Sequence, residues 1–516
     1  MQKITCAHSQ QLFNVAATRR IEQVAASTLP PHTLMQRAGL AVARLAMAMA
    51  PHAQCMWVAC GPGNNGGDGF EAAMHLQQWG KRVVVTWTGP GKNVSPADAE
   101  ASRKEALAAG VTFIDEPPPD FDLCIDALLG IGANLDPAHE GSARLLSWLQ
   151  VMRDSAKLCL AVDVPSGLNA DTGVMSAINA KSSIDAIHSG SASALIDWSG
   201  TRFTLSLLTL KPGLFTFEGR DSAGEVWFDD LGIDVPANKD ANEPPSAWLL
   251  GADSLALPQR LHAQHKGSFG DVAVLGGESS AASHMAGAAL LAASAALHAG
   301  AGRVFVALLG DSAVTVNPSQ PELMFRSPEA LDLRSQVLVC DCGGGEAVKA
   351  VLPRVLSTAT RLVLDADALN AIANDTALQT LLKARAARGY VTVLTPHPLE
   401  AARLLQITTA QVQSDRLKAA AQLAELYKAV VVLKGSGSVI AALGQTSRIN
   451  SSGNALLATA GTGDVLAGML GAAIANGLSA FDAACSAVFL HGRIADDWLK
   501  THPGEALTAS RLATSG

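Results

Sequence analysis

The chain has 516 residues, a length that predicts two or three domains, and we take two as the working number. Hydrophobic residues make up 48% of it, charged residues 16% and aromatic residues 4%, which is typical of a globular protein with a core of Ala, Val and Leu. A formal net charge of -8, without runs of Lys or Arg, argues against nucleic acid or an anionic membrane surface as a partner, so we expect small-molecule partners.

Eight cysteines are scattered through the chain. The two close pairs, Cys55/Cys60 and Cys340/Cys342, lack the C-x-x-C spacing of a zinc or redox site, so we interpret the cysteines as reduced, mostly structural thiols. Cys340 and Cys342 alternate along a predicted strand and should therefore face opposite sides of it.

Two segments bear on localisation. Residues 1–13 lack the apolar region and the small-residue cleavage site of a signal peptide. The Ala-rich stretch at 286–297 is apolar but too short to span a bilayer. The sequence therefore predicts a cytoplasmic protein.

The first half of the chain opens with helical patterning at 10–26 and 34–50, interrupted by Pro30-Pro31. Short apolar runs then alternate with helix-length segments, which predicts a mostly parallel sheet covered by helices on both faces. In such sheets ligands bind beyond the carboxyl ends of the strands. The predicted strands are 56–60, 83–87, 123–126 and 158–162, and the predicted helices include 70–79 and 97–109.

A polar, Pro-containing stretch at 234–246 (DVPANKDANEPPS) lacks periodicity, and we place the domain boundary there. This divides the chain into a first domain at 1–232, a linker at 233–247 and a second domain at 248–516. The β/α alternation restarts after the linker, which predicts an independent second α/β domain. Its predicted strands are 272–275, 304–308, 337–340, 362–364, 391–394 and 430–433, with a helix at 286–299.

A glycine-rich segment, GPGNNGGDG at 61–69, joins the strand at 56–60 to a helix. Its five glycines allow backbone amides to approach an anionic ligand at a helix N-terminus. The segment also satisfies the G-x-G-x-x-G pattern of a dinucleotide-binding turn, but the acidic residue which that pattern needs about 20 positions later is missing from 83–88. A purely structural turn is the other alternative, and it does not explain two amides and an acid among the glycines.

Two further motifs follow predicted strands: DALLG at 126–130 and VDVPSGLNADTG at 162–173. A single Asp at the end of a strand is more often a cap or turn residue than a catalyst. Here, however, three strand ends carry such motifs. The set resembles the epimerase domain of the NAD(P)H-hydrate repair enzymes, with its GPGNNGGDG, DALLG and DIPSGLDADTG motifs, and LKPGL at 210–214 is similar to that family's LKPGL.

The resemblance covers about residues 1–232 and implies a Rossmann-like three-layer α/β epimerase domain that interconverts R and S NAD(P)H hydrates. It implies that Asp163 contacts the substrate, and we assign the acid–base role to this residue. A potassium ion held by Asn65, Asp126 and Ser166 is also implied, and amide, carboxylate and hydroxyl oxygens suit such an ion. The substrate-binding residues implied are Asn64, Asn65, Gly66, Gly67, Asp68, Gly130, Ile131, Gly132, Ala133, Asn134, Leu135, Asp136 and Asp163.

Near the carboxyl end, GTGD at 461–464 places a flexible turn directly before a long helix. Such a turn forms an anion hole, and in the ribokinase-like superfamily the Asp of G-x-G-D acts as base toward a hydroxyl that attacks a phosphate. Asp464 could instead only complement the helix dipole. Other motifs favour the first interpretation: HKG at 265–267, GAG at 300–302, DADALN at 365–370, TPHPLE at 395–400 and KGSGS at 434–438.

Together these motifs resemble the dehydratase domain of the same repair family over about residues 248–500. The implied fold is ribokinase-like α/β, and both domains in this order indicate the bifunctional form, a homo-oligomer by resemblance. ADP is the implied phosphoryl donor, accompanied by Mg²⁺, and AMP and phosphate are the implied by-products of restoring NADH or NADPH from the S hydrate. The implied nucleotide-binding residues are Lys434, Gly435, Ser436, Gly437, Ser438 and Gly463. Those implied for the hydrated nicotinamide are Ala288, Gly343, His397 and Asp464, with Asp464 as catalytic base.

Three departures from the family pattern stand out. DCGGG at 341–345 replaces a GPGLG-type loop and adds the charge of Asp341, the loop after Leu275 has extra residues, and the segment at 174–209 is long. Two other functions stay open at this point. One is a small-molecule kinase of the hydroxyethylthiazole or pyridoxal type, since G-x-G-D serves ordinary phosphoryl transfer equally well. The other is a noncatalytic scaffold, against which the retained acidic residues argue.

Overall fold

The computed structural model describes residues 1–90, 95–132, 142–176, 198–234, 243–256, 261–279, 284–310, 314–340 and 342–515. The chain forms two compact units. The first contains Met1–Thr5 and Gln11–Ala247, and the second contains Cys6–Gln10 and Trp248–Gly516. No sequence pattern indicated that Cys6–Gln10 belongs with the second unit. Most of the predicted linker at 233–247 lies outside the described residues.

The first unit is built on an eight-stranded sheet. Its strands are β1 (Gln2–Lys3), β3 (Cys55–Cys60), β4 (Arg82–Trp87), β5 (Thr112–Ile114), β6 (Leu123–Ala127), β7 (Leu158–Val162), β8 (Arg202–Leu207) and β9 (Glu225–Asp229). The strand β2 (Gln10–Leu12) belongs to the other sheet. The strand order is β1-β9-β8-β7-β6-β3-β4-β5. β1 is antiparallel to β9, and all the other neighbours are parallel.

Helices cover both faces of this sheet. They are α1 (Val15–Thr28), α2 (Thr33–Met49), α3 (Asn64–Gln78), α4 (Ala97–Ala108), α5 (Ser142–Asp154) and α6 (Gly219–Ala223). Side chains alternate along β3: Met56 and Val58 join a buried cluster with α1, α2 and α3, whereas Trp57 packs in a separate cluster with Trp148 of α5. The predicted three-layer α/β fold is therefore confirmed.

The second unit is also a layered α/β structure. Its strands are β10 (Ala247–Leu249), β11 (Asp271–Ser279), β12 (Arg303–Gly310), β13 (Met324–Phe325), β14 (Val337–Cys340), β15 (Arg361–Leu364), β16 (Val391–Leu394), β17 (Val430–Leu433), β18 (Val439–Ala441) and β19 (Arg448–Ile449). The order of the eleven-stranded sheet is β13-β12-β11-β14-β15-β16-β17-β18-β19-β10-β2. The run from β13 to β17 is parallel, and β18 is antiparallel to both of its neighbours.

Helices of the second unit pack on two core clusters. They are α7 (Ala286–His298), α8 (Val348–Thr358), α9 (Ala366–Ala373), α10 (Thr376–Ala387), α11 (Pro398–Leu405), α12 (Thr409–Ser414), α13 (Arg416–Tyr427), α14 (Thr462–Ala475), α15 (Ala480–Thr501) and α16 (Ala509–Thr514). Cys342 packs in the cluster that contains residues of α7 and α14, and Cys340 in the cluster of α8 and α13. Cys342 lies beyond the end of β14 and not on the strand as predicted, but the two cysteines do pack in different clusters. All eight cysteines are free thiols.

The sequence placed two helix starts wrongly. The helix predicted from residue 10 begins only at Val15, because the side chain of Asn14 accepts a hydrogen bond from Ala17 N at 2.8 Å and caps the helix, while residues 10–12 form a strand. The helix predicted from residue 70 begins at Asn64, inside the glycine-rich segment. Among the described residues, no helix combines the length and the apolar character needed to cross a membrane.

Candidate active sites

The first candidate site is a cavity of about 540 Å³ in the first unit. It lies where β7, β6 and β3 end, which are neighbours in the sheet, so their three motifs meet there. Gly66 and Gly67 are buried in α3 and do not line it. The predicted residues at 133–136 lie outside the described ones. Predicted substrate-binding residues that line the cavity are Asn64, Asn65, Asp68, Gly130, Ile131, Gly132 and Asp163.

The glycines in the segment 61–69 allow close packing of the backbone; they do not form a free loop. A Cβ on Gly61 would lie 1.7 Å from Leu128 O, and one on Gly66 would lie 2.1 Å from Gly61 O. Any side chain at either position would therefore push α3 away from the ends of β3 and β6. As a result, the start of α3 is directed at the cavity, which Gly63 and Asn64 line. The unpaired amides and the dipole at this helix N-terminus favour an anionic group.

Asp163, directly after β7, is held in an uncommon conformation. Its φ is 67°, in the left-handed region, which costs a non-glycine residue about 1–3 kcal/mol unless its surroundings enforce it. Leu207 N donates to Asp163 Oδ1 at 3.0 Å, and Lys211 Nζ donates to the same oxygen. The Lys211 side chain is fully buried, and its Nζ also donates to Leu207 O at 2.7 Å. Oδ1 is thus occupied, and Oδ2 is the oxygen that can meet a ligand in the cavity.

The pKa values of two other acidic residues in this cavity are raised. Burial and the nearby carboxylates of Asp163 and Glu22 raise the pKa of Asp68 well above its usual range. Burial and Asp163 also raise the pKa of Glu22. A carboxylate that is paired with lysine therefore shares one cavity with two carboxyl groups whose pKa values are raised. Placing carboxyl groups in unlike environments is how an enzyme obtains an acid and a base from like residues.

Asp126 and Ser166, two of the three predicted potassium ligands, are buried and in contact. Ser166 Oγ donates to Asp126 Oδ1 at 2.6 Å, and Ser166 N donates to Asp126 Oδ2 at 2.9 Å. Burial raises the pKa of Asp126. The third, Asn65, is also buried, and its Nδ2 has no hydrogen-bond partner in the part of the chain that the structure describes. Turning this amide would replace the unpaired nitrogen with an oxygen.

The second candidate site lies at the carboxyl ends of β15, β16 and β17, neighbours in the other sheet. Lys434 follows β17, and its Nζ lies 2.5 Å from Oδ1 of Asp365, which follows β15. Thr395 Oγ1, after β16, donates to the same oxygen at 2.8 Å. A Cβ on Gly463 would lie 3.5 Å from Lys434 Nζ and 3.7 Å from Asp365 Oδ2. The KGSGS, DADALN and GTGD motifs therefore meet at one point.

Asp464 stands in the first turn of α14, after Gly461 with a φ of 89°. Burial and the neighbouring carboxylate of Asp365 raise its pKa to about 7, while Cys342 and Lys434 act in the opposite direction. A carboxylate with a pKa near neutrality is suited to act as a general base at neutral pH. Burial lowers the pKa of Lys434, but the carboxylates of Asp365 and Glu400 outweigh it, so Lys434 carries its charge.

Comparison with known proteins gives two family matches. Residues 31–187 match the model described as "YjeF-related protein N-terminus", and residues 272–515 match the model described as "NAD(P)H-hydrate dehydratase". The "Bifunctional NAD(P)H-hydrate repair enzyme Nnr" of Escherichia coli (strain K12) is 34% identical over 492 residues, which are 93% of this chain and 88% of that protein. The chain belongs to the family of bifunctional NAD(P)H-hydrate repair enzymes.

Two further known proteins are similar to about half of this chain. The "ADP-dependent (S)-NAD(P)H-hydrate dehydratase" of Neisseria meningitidis serogroup B is 42% identical over 244 residues, which are 46% of this chain and 80% of that protein. A crystal structure of the ADP/ATP-dependent NAD(P)H-hydrate dehydratase from Bacillus subtilis is 29% identical and has a TM-score of 0.43. It covers 50% of this chain and 91% of that one.

The loop at 435–438, which is predicted to bind nucleotide, contacts a buried arginine, Arg416. Gly435 and Gly437 have φ values of 136° and 61°, which favour glycine. Arg416 NH2 donates to Leu433 O and Lys434 O, each at 3.2 Å. A Cβ on Gly435 would lie 3.0 Å from the Arg416 guanidinium nitrogens. Arg416 therefore fixes the backbone of the loop.

His397 caps the N-terminus of a helix. Its Nδ1 accepts hydrogen bonds from Leu399 N at 3.1 Å and Glu400 N at 3.3 Å, so it caps α11. Its Nε2 lies 3.1 Å from Glu400 Oε1. Its predicted contact with the hydrated nicotinamide stays a prediction. The other predicted pair does meet, since a Cβ on Gly343 would lie 3.0 Å from Ala288 Cβ, whereas Asp341 lies outside the described residues.

Sequence reasoning missed three residues that organise these sites. Lys211 lies in the LKPGL motif and Asp365 in DADALN, but neither motif shows that these two residues form ion pairs with Asp163 and Lys434. The residues of each pair lie in different strand–loop segments, so nothing local in the sequence brings them together. Arg416 offered no signal, because an arginine at the start of a helix is ordinarily exposed, whereas this one is fully buried.

Proposed function

We propose that this chain repairs hydrated nicotinamide cofactors in two steps. Its first domain, placed at 1–232, interconverts the R and S hydrates of NADH and NADPH. Its second domain, placed at 248–516, dehydrates the S form with ADP, which gives NADH or NADPH, AMP and phosphate. The observation that carries this proposal is the alignment with a bifunctional repair enzyme over 93% of the chain. The two sites support it, because in each of them a strand-end carboxylate forms an ion pair with a lysine.

In the first site, epimerisation requires the carbon that bears the hydroxyl to become planar and to be attacked by water from either face. Asp68, whose pKa is raised by burial, is suited to deliver a proton to the departing hydroxyl. Asp163, which is paired with Lys211, is suited to accept a proton from the returning water. The N-terminus of α3 is suited to hold the phosphates of the dinucleotide.

A potassium ion fits the donor set beside this cavity. Asp126 and Ser166 supply carboxylate and hydroxyl oxygens, and the amide of Asn65 can supply a third oxygen once its unpaired nitrogen is turned away. Ser166 Oγ accepts a hydrogen bond from Leu129 N at 2.8 Å, which ties the site to the loop at 129–132 that lines the cavity. A bound ion would supply positive charge that keeps Asp126 ionised.

In the second site, Asp464 removes the proton of the ring hydroxyl, which attacks the terminal phosphorus of ADP and releases AMP. Phosphate is a better leaving group than hydroxide, so the ring C–O bond of the new ester breaks and phosphate departs. The neighbouring ring carbon loses a proton to solvent, and the ring double bond forms. Lys434, Gly463 and the loop at 435–438 bind the nucleotide. Asp365 Oδ2 lies beside the GTGD turn and suits Mg²⁺, which would neutralise phosphate charge there.

The test is an incubation of the purified protein with a mixture of both hydrate epimers, with and without ADP. Repair consumes both epimers and yields NADH when ADP is present, and exchanges the epimers without net loss when ADP is absent. A small-molecule kinase would instead yield a stable phosphoester, and a scaffold would leave both epimers unchanged. The homo-oligomeric state and the cytoplasmic location stay predictions.

A further inference from the structure

A second polar cluster lies in the first unit and has no part in the chemistry described above. It consists of His32, Glu71 and Glu105, each of which offers one ligand atom, and these atoms all lie within 4.8 Å of one another. His32 directly precedes α2, Glu71 lies in α3 and Glu105 lies in α4. The cluster therefore joins three helices. We call these three residues the helix-junction cluster.

Glu71 is the anomalous member of the helix-junction cluster. It is 1% exposed, and its Oε2 has no hydrogen-bond partner in the part of the chain that the structure describes. Besides Glu105, two histidines face it: His32 Nε2 lies 3.7 Å from Oε2, and His75 Nε2 lies 3.9 Å from Oε1. A buried carboxylate oxygen without a hydrogen bond is unfavourable unless a cation neutralises its charge. The surroundings of Glu71 therefore favour a bound cation or a protonated histidine as its partner.

The backbone holds Glu71 in this position. A Cβ on Gly39 of α2 would lie 2.2 Å from Glu71 Cβ, so α2 and α3 are in close contact at this point. A Cβ on Gly67 of α3 would lie 2.9 Å from Ala99 Cα of α4. Because glycines let the helices approach so closely, the Glu71 side chain begins in a packed contact with α2 and is buried.

The two ring nitrogens of His32 have different surroundings. Its Nε2 faces Glu71 and lies 3.3 Å from Ser102 Oγ. Its Nδ1 is buried, lies 3.6 Å from Asp98 Oδ1 and has no hydrogen-bond partner within the described residues. A carboxylate this near favours a proton on Nδ1, which leaves Nε2 to act as the ligand atom. Asp98, Ser102 and Glu105 recur at helical spacing along α4, which places them on one face of that helix.

We propose that the helix-junction cluster binds a divalent transition-metal ion, with Zn²⁺ as the best match. One imidazole nitrogen and two carboxylate oxygens are ligands that Zn²⁺ accepts, and three protein ligands leave a position for water. The site differs from the potassium site, which has oxygen donors alone. His32 and Asp98 line the substrate cavity, so the ion joins α2, α3 and α4 at the edge of that cavity.

The experiment is a Zn²⁺ titration of the full-length protein, freed of metal by a chelator, against a chromogenic chelator as competitor. We expect one high-affinity ion per chain. Glu71→Gln and Glu105→Gln should each weaken its binding by more than the roughly tenfold typical of an outer-shell change. Zn²⁺ should also raise the midpoint of thermal unfolding of the wild type and not that of the variants. Asp98→Asn should weaken binding by about tenfold, since Asp98 only orients His32.

Glu100→Gln is the matched control, because Glu100 lies on α4 but is paired with Arg103 rather than directed into the cluster. It should bind Zn²⁺ like the wild type. Glu105 is exposed, so Glu105→Gln tests the site even if Glu71→Gln fails to fold. Equal Zn²⁺ affinity of the wild type and Glu105→Gln overturns the proposal. A wild-type protein that binds no high-affinity Zn²⁺ overturns it as well. If Glu71→Gln then alters only the pH dependence of unfolding, Glu71 pairs with protonated His32 and His75 alone.

Discussion

The two candidate sites use a lysine–aspartate pair in opposite ways. In the first unit, buried Lys211 is hydrogen-bonded to Asp163, the residue proposed to act on the substrate. In the second unit, Lys434 is bonded to Asp365, and the proposed base, Asp464, stands beside that pair. Lysine thus contacts one proposed catalytic carboxylate directly. The other, Asp464, has no such contact, and burial together with the neighbouring carboxylate of Asp365 raises its pKa to about 7.

This difference shows what a strand-end aspartate can and cannot indicate. Asp163 and Asp365 both follow parallel strands, and both accept a hydrogen bond from a lysine. In our proposal Asp163 acts on the substrate, whereas Asp365 lies beside the proposed base, so a lysine-bonded aspartate at a strand end does not by itself indicate a catalyst. The comparison therefore predicts different losses when the aspartates and lysines are changed.

The largest loss is expected for Asp464→Asn. The amide keeps the size of the side chain but cannot accept the hydroxyl proton, so ADP-dependent dehydration should fall on the order of a hundredfold or more. Nucleotide binding, measured by calorimetry, should stay close to that of the wild type. Asp497→Asn, on an exposed position of α15, is the control. Dehydration at the wild-type rate in Asp464→Asn would restore the alternative that this residue only complements the helix dipole.

A similar loss is expected for Asp163→Asn in the first site, where epimer exchange should fall by about a hundredfold while the hydrate still binds. Lys211→Met should cause a smaller loss, because the carboxylate remains but loses the lysine that holds its Oδ1 in place. Exchange measured by NMR, together with binding of the hydrate, separates the two variants. Lys157→Met, which changes a half-exposed lysine of the same unit, should be silent. Normal exchange in Asp163→Asn would remove its acid–base role.

Much of the architecture could be predicted from the sequence, because buried parallel strands are short runs of Val, Leu and Ala with recognisable ends. The start of α3 could not, because glycines at 61–69 are poor helix formers and only contacts with Leu128 O and Gly61 O show why they are needed. The motifs of both sites could also be identified in the sequence. The ion pairs of Lys211 and Lys434 could not be predicted, since they depend on where separate loops meet.

The pH dependence of dehydration sharpens the contrast. A general base must be deprotonated, so with a pKa of about 7 the active fraction of Asp464 rises with pH, and the rate should increase about tenfold between pH 6 and pH 8. Asp365→Asn should move the midpoint to lower pH, because the carboxylate that raises the pKa of Asp464 is gone. Single-turnover rates at saturating ADP measure this. A midpoint that stays in place in Asp365→Asn would show that burial alone sets the pKa.

A severalfold effect is expected from the cation beside the first site. Epimer exchange should slow when potassium is replaced by tetramethylammonium, which is too large for oxygens as close as those of Asp126 and Ser166. Asp126→Asn should exchange slowly in both salts, because the amide loses the charge that holds the ion. Asp122→Asn, at a half-buried carboxylate of the same unit that accepts hydrogen bonds from Gln54 N and Cys55 N, should respond to potassium like the wild type. Equal rates of the wild type in both salts would contradict a potassium site.

The smallest effect on rates is expected when the two units are separated. Asp163 and Lys211 lie in the first unit, and Asp464 and Lys434 lie in the second, so each site is complete within one unit. A chain that ends after Ala247 should exchange epimers at the wild-type rate. A chain that begins at Trp248 should still dehydrate the S hydrate, but with a lower midpoint of thermal unfolding, because Cys6–Gln10 belongs to its unit and is lost.

The expected loss of thermal stability can be assigned to particular contacts. Cys6 O accepts a hydrogen bond from Ala252 N at 2.9 Å, and Ser9 N donates to Asp253 Oδ1 at 2.8 Å. Each such bond contributes about 0.5–1.5 kcal/mol, and exposed ones contribute at the lower end of that range. Adding a peptide of residues 1–12 to the shortened chain should recover part of the midpoint without changing the rate. If both halves are well folded by circular dichroism and both are inactive, the two sites are not independent, and the comparison between them as separate catalysts fails.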